Sequence, residues 1–140
     1  MRCSDFTILV ADDDLSQRKV YEKALSEEGY RLILVESCER ALAELFEKEA
    51  SLLITDLKMA YVDKRVIRDR VADMDGFEMF PLLMKNHPHL PVIVASGSYD
   101  RLMEDFPLKA FVNVKALFLK PLSMRVLKQK IREVLKIEDF

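Results

Sequence analysis

Five polar side chains stand directly behind apolar runs in this chain. Asp12 and Asp13 follow Thr7–Ala11 (TILVA), Asp56 follows Ser51–Thr55 (SLLIT), Ser96 follows Pro91–Ala95 (PVIVA) and Lys120 follows Ala116–Leu119 (ALFL). Brought together, they would place three carboxylates, one hydroxyl and one ammonium in a small volume. Two carboxylates about 4 Å apart repel by about 4 kcal/mol at an effective dielectric of about 20. One lysine offsets only part of that. A hard divalent cation with oxygen ligands would offset the rest, and Mg2+ suits such a site because it accepts a few carboxylates and keeps waters that a phosphate oxygen can replace. Each residue alone has a plainer reading: an Asp behind a strand is usually a turn or cap residue, a Ser an ordinary turn residue, a Lys a solvated charge. Asp14 takes that plainer role, as a helix cap.

Convergence depends on the elements that carry these residues. The apolar runs read as strands buried on both faces, with a further strand at Arg31–Val35 (RLILV). Amphipathic stretches separate them. One helix is expected at about Leu15–Glu28, with Val20, Ala24 and Leu25 on its inner face, Asp14 and Gln17 at capping-box spacing and Gly29 at its end. A second follows the cap Ser37 and bears Ala41, Leu42, Leu45 and Phe46 on its apolar side. The last runs from about Ser123 to Lys136, with a stripe of Leu127, Ile131, Val134 and Leu135. Pro81 falls inside the third helical stretch, where a proline costs ~3 kcal/mol. That helix is therefore expected to start late, near Phe80, or to kink. Strands alternating with helices predict an α/β fold: a doubly wound, five-stranded parallel sheet, flavodoxin-like in its order 2-1-3-4-5, with helices on both faces. Its ligand crevice lies at the carboxyl ends of strands 1 and 3. All five polar residues then meet along one edge of the sheet.

The chain has 140 residues, a size that predicts one domain over 1–140. Half the residues are apolar and a third charged, which excludes a disordered chain. With 22 basic and 24 acidic residues the net charge is −2, and nothing demands a nucleic-acid or membrane surface. Cys3 and Cys38 lack metal-binding spacing and read as reduced thiols. No apolar run approaches the ~20 residues that span a bilayer, and the N-terminal MRCSDF lacks a secretory segment. A cytoplasmic protein is expected.

Five segments, in this order and spacing, resemble the receiver domain of bacterial response regulators: ILVADDD at Ile8–Asp14, LLITDLKM at Leu52–Met59, MDGFE at Met74–Glu78, PVIVASG at Pro91–Gly97 and FLKP at Phe118–Pro121. The resemblance covers about Phe6 to Leu135. It implies a role for each residue. Asp56 resembles the phosphoacceptor, a carboxylate that attacks phosphorus in line. Asp13 resembles the direct metal ligand, Asp12 the acid that holds Mg2+ through water, and Lys58 the position whose carbonyl supplies a backbone ligand. Lys120 resembles the ammonium that pairs with the acceptor and then with a phosphoryl oxygen. Ser96 resembles the switch hydroxyl, and Lys120–Pro121 the family's cis peptide.

The sequence departs from this pattern in places. Ala60 stands where the family usually has Pro, and Gly76 lies 20 positions beyond Asp56, so residues 61–73 read as an insertion. Its Lys64, Arg65, Arg68 and Arg70 suit either a partner surface or a plain loop extension. Leu117 replaces the usual aromatic three positions before the lysine, and Phe118 next to it points to the other face. Gly97 stands in place of a common Ala.

The resemblance implies a phosphoacceptor signalling domain of a two-component phosphorelay, not an enzyme beyond its own phosphorylation and dephosphorylation. The implied donor is a phosphohistidine on a sensor histidine kinase or phosphotransfer protein, and the output is a downstream protein target. No direct nucleic-acid or membrane partner is implied, and a homodimer is left open. The chain ends soon after the last helix, so the expectation is a stand-alone receiver that signals by binding another protein, with a fragment of a larger protein as the alternative. The rival reading is a phosphorylation-independent interaction module with the same fold, supported by the lost aromatic and the insertion. A hydrolase with an Asp nucleophile is disfavoured because nothing supplies a substrate pocket.

Overall fold

The computed structural model describes residues 2–56, 76–97 and 113–137. A 3-10 turn at Cys3–Asp5 leads into β1 (Thr7–Ala11), α1 (Leu15–Glu28), β2 (Arg31–Val35), α2 (Cys38–Glu47) and β3 (Leu52–Thr55). Then come α3 (Gly76–Asn86), β4 (Val92–Ser96), β5 (Val114–Leu119) and α4 (Met124–Leu135). The five strands form one parallel sheet in the order β2-β1-β3-β4-β5, as the sequence predicts.

The central strands are apolar throughout because both their faces are covered. Leu9, Ala11, Leu53, Val92 and Val94 face a layer built from Cys38, Ala41 and Leu45 of α2 and Met79, Phe80 and Leu83 of α3. Ile8, Val10, Leu52, Ile54 and Ile93 face the opposite layer, which contains Tyr21 and Leu25 of α1 and Leu127 and Ile131 of α4. Each such fully buried side chain contributes about 1.5–3 kcal/mol relative to exposure. β5 differs from the other expected strands. Its burial alternates, with Leu117 and Leu119 exposed, because it closes the described sheet at one edge. The register between β4 and β5 slips once: Val92 pairs with Val114 but Ile93 with Ala116, which leaves Lys115 as an extra residue in a bulge.

The caps follow the sequence. Asp14 accepts hydrogen bonds from the backbone N–H groups of Ser16 and Gln17, and Gly29 takes the left-handed conformation at φ 100° that ends α1. Ser37 accepts from the N–H of Arg40 and starts α2. Three expectations are corrected. Val20 is exposed and Tyr21 takes its place on the inner face of α1. Phe46 is 89% exposed and packs on nothing that buries it. Helix α3 does not wait for Phe80 but begins at Gly76, with Pro81 inside it. The exposed proline ring faces away from the sheet, and burial of Met79, Phe80 and Leu83 outweighs the lost backbone bond. Neither Cys3 nor Cys38 is in a disulfide. No described helix is long and apolar enough to cross a membrane.

Candidate functional site

Backbone pairing carries three of the expected side chains to one place. The Asp12 N–H donates to the Val35 carbonyl at 3.1 Å, and the Asp56 N–H to the Ala11 carbonyl at 3.2 Å, so the β1–β2 and β1–β3 ladders run right up to the two acids. The Lys120 N–H donates to the Ser96 carbonyl at 2.7 Å, which extends the β4–β5 ladder in the same way. The peptide bond from Lys120 to Pro121 is cis, as expected.

The Lys120 ammonium then reaches inward and donates to both acids, at 2.6 Å to Asp12 Oδ2 and 2.8 Å to Asp56 Oδ2. The site is largely dry: side-chain exposure is 16% for Lys120, 2% for Asp12 and 9% for Asp56. Asp12 is further fixed by its neighbours. Its Oδ1 accepts the Asp14 N–H at 2.9 Å, and its carbonyl accepts from Arg18 Nη1 at 2.6 Å. The Thr55 hydroxyl donates to the Asp56 carbonyl at 3.0 Å.

Burial pushes the Asp12 carboxyl above the usual carboxylate range, and the Lys120 and Asp14 hydrogen bonds recover only part of that shift. Burial alone would lower the Lys120 ammonium. The hydrogen bonds to Asp12 and Asp56 outweigh it and hold the ammonium above its ordinary value. Among the described residues, two carboxylates thus share the Lys120 ammonium.

The remaining expected residues are placed differently. Ser96 is 1% exposed at the end of β4, beside the Lys120 backbone. Asp13 is exposed and stands outside the pair that Lys120 bridges. Lys58 and the segment 61–73 lie outside the described residues. Among the described residues, no three acidic, histidine or cysteine side chains are gathered closely enough to enclose a metal ion. Leu117 is exposed, and Phe118 packs on the α1/α4 layer, as strand alternation predicts.

Sequence reasoning missed two residues. Arg18 buttresses Asp12 from α1, a role that its spacing of four from Asp14 hints at. Tyr21 buries its hydroxyl in the core beside the same cluster, and burial raises its pKa to about 12. Its sequence position carries no signal for this.

The chain matches the response regulator receiver domain family over residues 8–132. It is 31% identical to the DNA-binding transcriptional regulator NtrC of Bradyrhizobium sp. (strain RP501 Parasponia), across 77% of this chain and 23% of that protein. It is 28% identical to NtrC of Rhizobium meliloti (strain 1021), across 95% of this chain and 26% of that protein. The chain therefore spans about a quarter of the length of these curated relatives. Among solved structures it resembles a CheY-like receiver domain protein from Methanospirillum hungatei JF-1, with a TM-score of 0.78, 26% identity and 94% of each chain covered. The signal receiver domain of an HD domain-containing protein from Pseudomonas fluorescens Pf-5 shares the fold, at a TM-score of 0.78 and 19% identity. Domains of this kind are signalling modules that work with histidine kinases or phosphotransfer proteins, not enzymes in the ordinary sense. The family match, the sheet order and the lysine-bridged acid pair agree: this chain belongs to the response regulator receiver domain family of two-component systems.

Proposed function

We propose that the chain accepts a phosphoryl group on Asp56 from a phosphohistidine donor and thereby changes its affinity for a downstream protein. One observation carries this reading: the Lys120 ammonium bridges Asp12 and Asp56 in a largely buried crevice at the carboxyl ends of β1 and β3. An oxygen of Asp56 forms the new P–O bond as the P–N bond to the donor histidine breaks, and the bonding pair returns to the imidazole nitrogen. The product is an acyl phosphate, and the step needs positioning and charge neutralisation more than further covalent chemistry. Lys120 offers its ammonium to the arriving phosphoryl oxygens. Ser96, whose backbone pairs with that of Lys120, supplies the hydroxyl that bonds the phosphoryl group afterwards.

The donor set suits Mg2+ in its chemistry: two buried carboxylates share the Lys120 ammonium, and an exposed Asp13 stands next to Asp12 in the chain. Asp12, Asp13, Asp56 and the Lys58 carbonyl are the groups that would hold it. When bound, the cation supplies the remaining positive charge for phosphoryl transfer. Arg18 and the Asp14 N–H keep Asp12 in place for this task.

Intact mass after incubation with acetyl phosphate and Mg2+ tests the proposal. Wild type should gain about 80 Da, the mass of one phosphoryl group, and Asp56→Asn should gain nothing. An equal gain in the variant removes Asp56 from its role. No gain in wild type favours the phosphorylation-independent interaction module.

A further inference from the structure

The turn that joins α3 to β4 meets the start of β5 at a cleft of about 470 Å³, lined by Met84, Pro88, His89, Asn113 and Lys115. Its size falls in the range of small-molecule sites, about 300–1,000 Å³. It lies at the amino ends of β4 and β5, whereas Ser96 and Lys120 mark their carboxyl ends. The length of β5, at about 3.3 Å per residue, keeps it about 20 Å from Lys120.

Asn113 is the group in this cleft that the fold does not explain. It is 4% exposed, and among the described residues neither its side-chain oxygen nor its nitrogen has a hydrogen-bond partner. Most buried polar atoms in folded proteins are paired. Asn is common in turns because its side chain bonds nearby backbone, or because it tolerates the left-handed region. Neither reason applies here: the amide bonds nothing, and Asn113 does not have a positive φ. Its backbone carbonyl accepts from the Val92 N–H at 2.7 Å, as that of any residue could.

The rest of the lining indicates what would complete the amide. Met84 and Pro88 offer apolar surface to a flat ring, and a thioether makes favourable contacts with aromatic rings. His89 and Lys115 are both exposed, so they bring donors and positive charge to the rim. Lys115 is the extra residue of the β4–β5 bulge, a device that re-aims a side chain. A ligand here needs a donor beside an acceptor on one edge, a flat apolar body and a negative end. A nucleotide has all three. Adenine presents an amino group beside a ring nitrogen, the pair that an Asn amide matches with two hydrogen bonds.

We propose that this cleft binds an adenine nucleotide. The Asn113 amide turns into the cleft and pairs with the base edge, the ring lies against Met84 and Pro88, and the phosphate meets Lys115 and His89. Turning the amide is a change of side-chain rotamer that breaks no hydrogen bond among the described residues. The site is separate from Asp56 and does not depend on its phosphoacceptor reading.

Calorimetric titration of the full chain with AMP tests the site. Wild type should bind one AMP per chain. GMP, CMP and inorganic phosphate should each bind about tenfold more weakly or worse, the discrimination typical of a bidentate amide–base pair. Asn113→Leu keeps the shape of the side chain and removes both unpaired groups. It should unfold in urea at the wild-type midpoint or higher, and its AMP affinity should fall about tenfold or more. In wild type, AMP should also shift the Asn113 side-chain amide resonances; this measurement needs no variant and decides the matter if Asn113→Leu does not fold. No AMP binding by wild type, an unmoved Asn113 amide, or equal or tighter binding of GMP or CMP overturns the proposal. So does inorganic phosphate binding as tightly as AMP, which would leave an anion site only. An Asn113→Leu protein that loses stability yet keeps its AMP affinity also overturns it, because the amide would then hold an ordered water instead.

Discussion

Replacing Lys120 with Met keeps most of the side-chain volume and removes the ammonium that, among the described residues, bridges Asp12 and Asp56. What remains is two carboxylates in a largely dry crevice. At a separation of about 5 Å and an effective dielectric of about 20, their repulsion is about 3 kcal/mol. Breaking a buried ion pair from one side costs a similar ~3–5 kcal/mol. Small domains hold only about 5–15 kcal/mol of net stability, so the urea midpoint at pH 7 should fall visibly. The pH dependence is the sharper test. Asp12 already has a raised carboxyl pKa from burial, and Lys120 is the main group holding it down. Without Lys120 that pKa rises further above its unfolded value. A group of this kind stabilises the fold below the unfolded pKa and loses that contribution as pH climbs through the folded one. The variant should therefore recover stability, relative to wild type, as pH is lowered from 7 toward the carboxylate range. Urea titrations of both proteins across that span measure the difference directly. A Lys120→Met protein as stable as wild type at pH 7, or a deficit that does not change with pH, would refute the electrostatic account of the site.

Two further outcomes follow from residues on either side of the crevice. Asp13→Ala should weaken Mg2+ binding severalfold or more while leaving the Lys120 bridge intact, because Asp13 lies outside it; calorimetric titration showing unchanged affinity would remove Asp13 from the metal site. Pro81→Ala should stabilise the domain by up to about 3 kcal/mol, since the exposed ring interrupts α3 and buries little; an unchanged urea midpoint would mean that α3 already absorbs the proline without cost.

The sheet and the bridged acids were legible because one physical cause writes both signals. A parallel strand covered on both faces must be apolar, and it must stop where the crevice opens, so Ala11–Asp12 and Thr55–Asp56 mark strand and site together. Helix faces were less legible. Val20 with Ala24 and Tyr21 with Ala24 and Leu25 are equally good stripes at helical spacing, and only packing on the sheet selects the second. Phe46 extends the stripe of Ala41, Leu42 and Leu45 but stays exposed while Leu45 is buried in the core. Propensity placed the start of α3 too late because it weighs Pro81 and not the burial of Met79 and Phe80. Arg18 reaches the Asp12 carbonyl through a fold contact at which its spacing from Asp14 only hints, and the position of Tyr21 carries no signal of its burial beside the same cluster.

The bulge at Lys115 makes β5 unequal in the length changes it tolerates. Deleting Lys115 would close the slip and leave Ala116 opposite Ile93 and Leu119 opposite Ser96, so the ammonium at position 120 would keep its station. Deleting any one residue from Ala116 to Leu119 would instead draw Lys120 back by one strand step, about 3.3 Å, and turn it to the opposite face. The strand behaves as a ruler with a loose end and a fixed end. In chains descended from this one, gains and losses of single residues should collect ahead of Ala116, while the count from Ala116 to Lys120 stays constant even where the apolar identities drift.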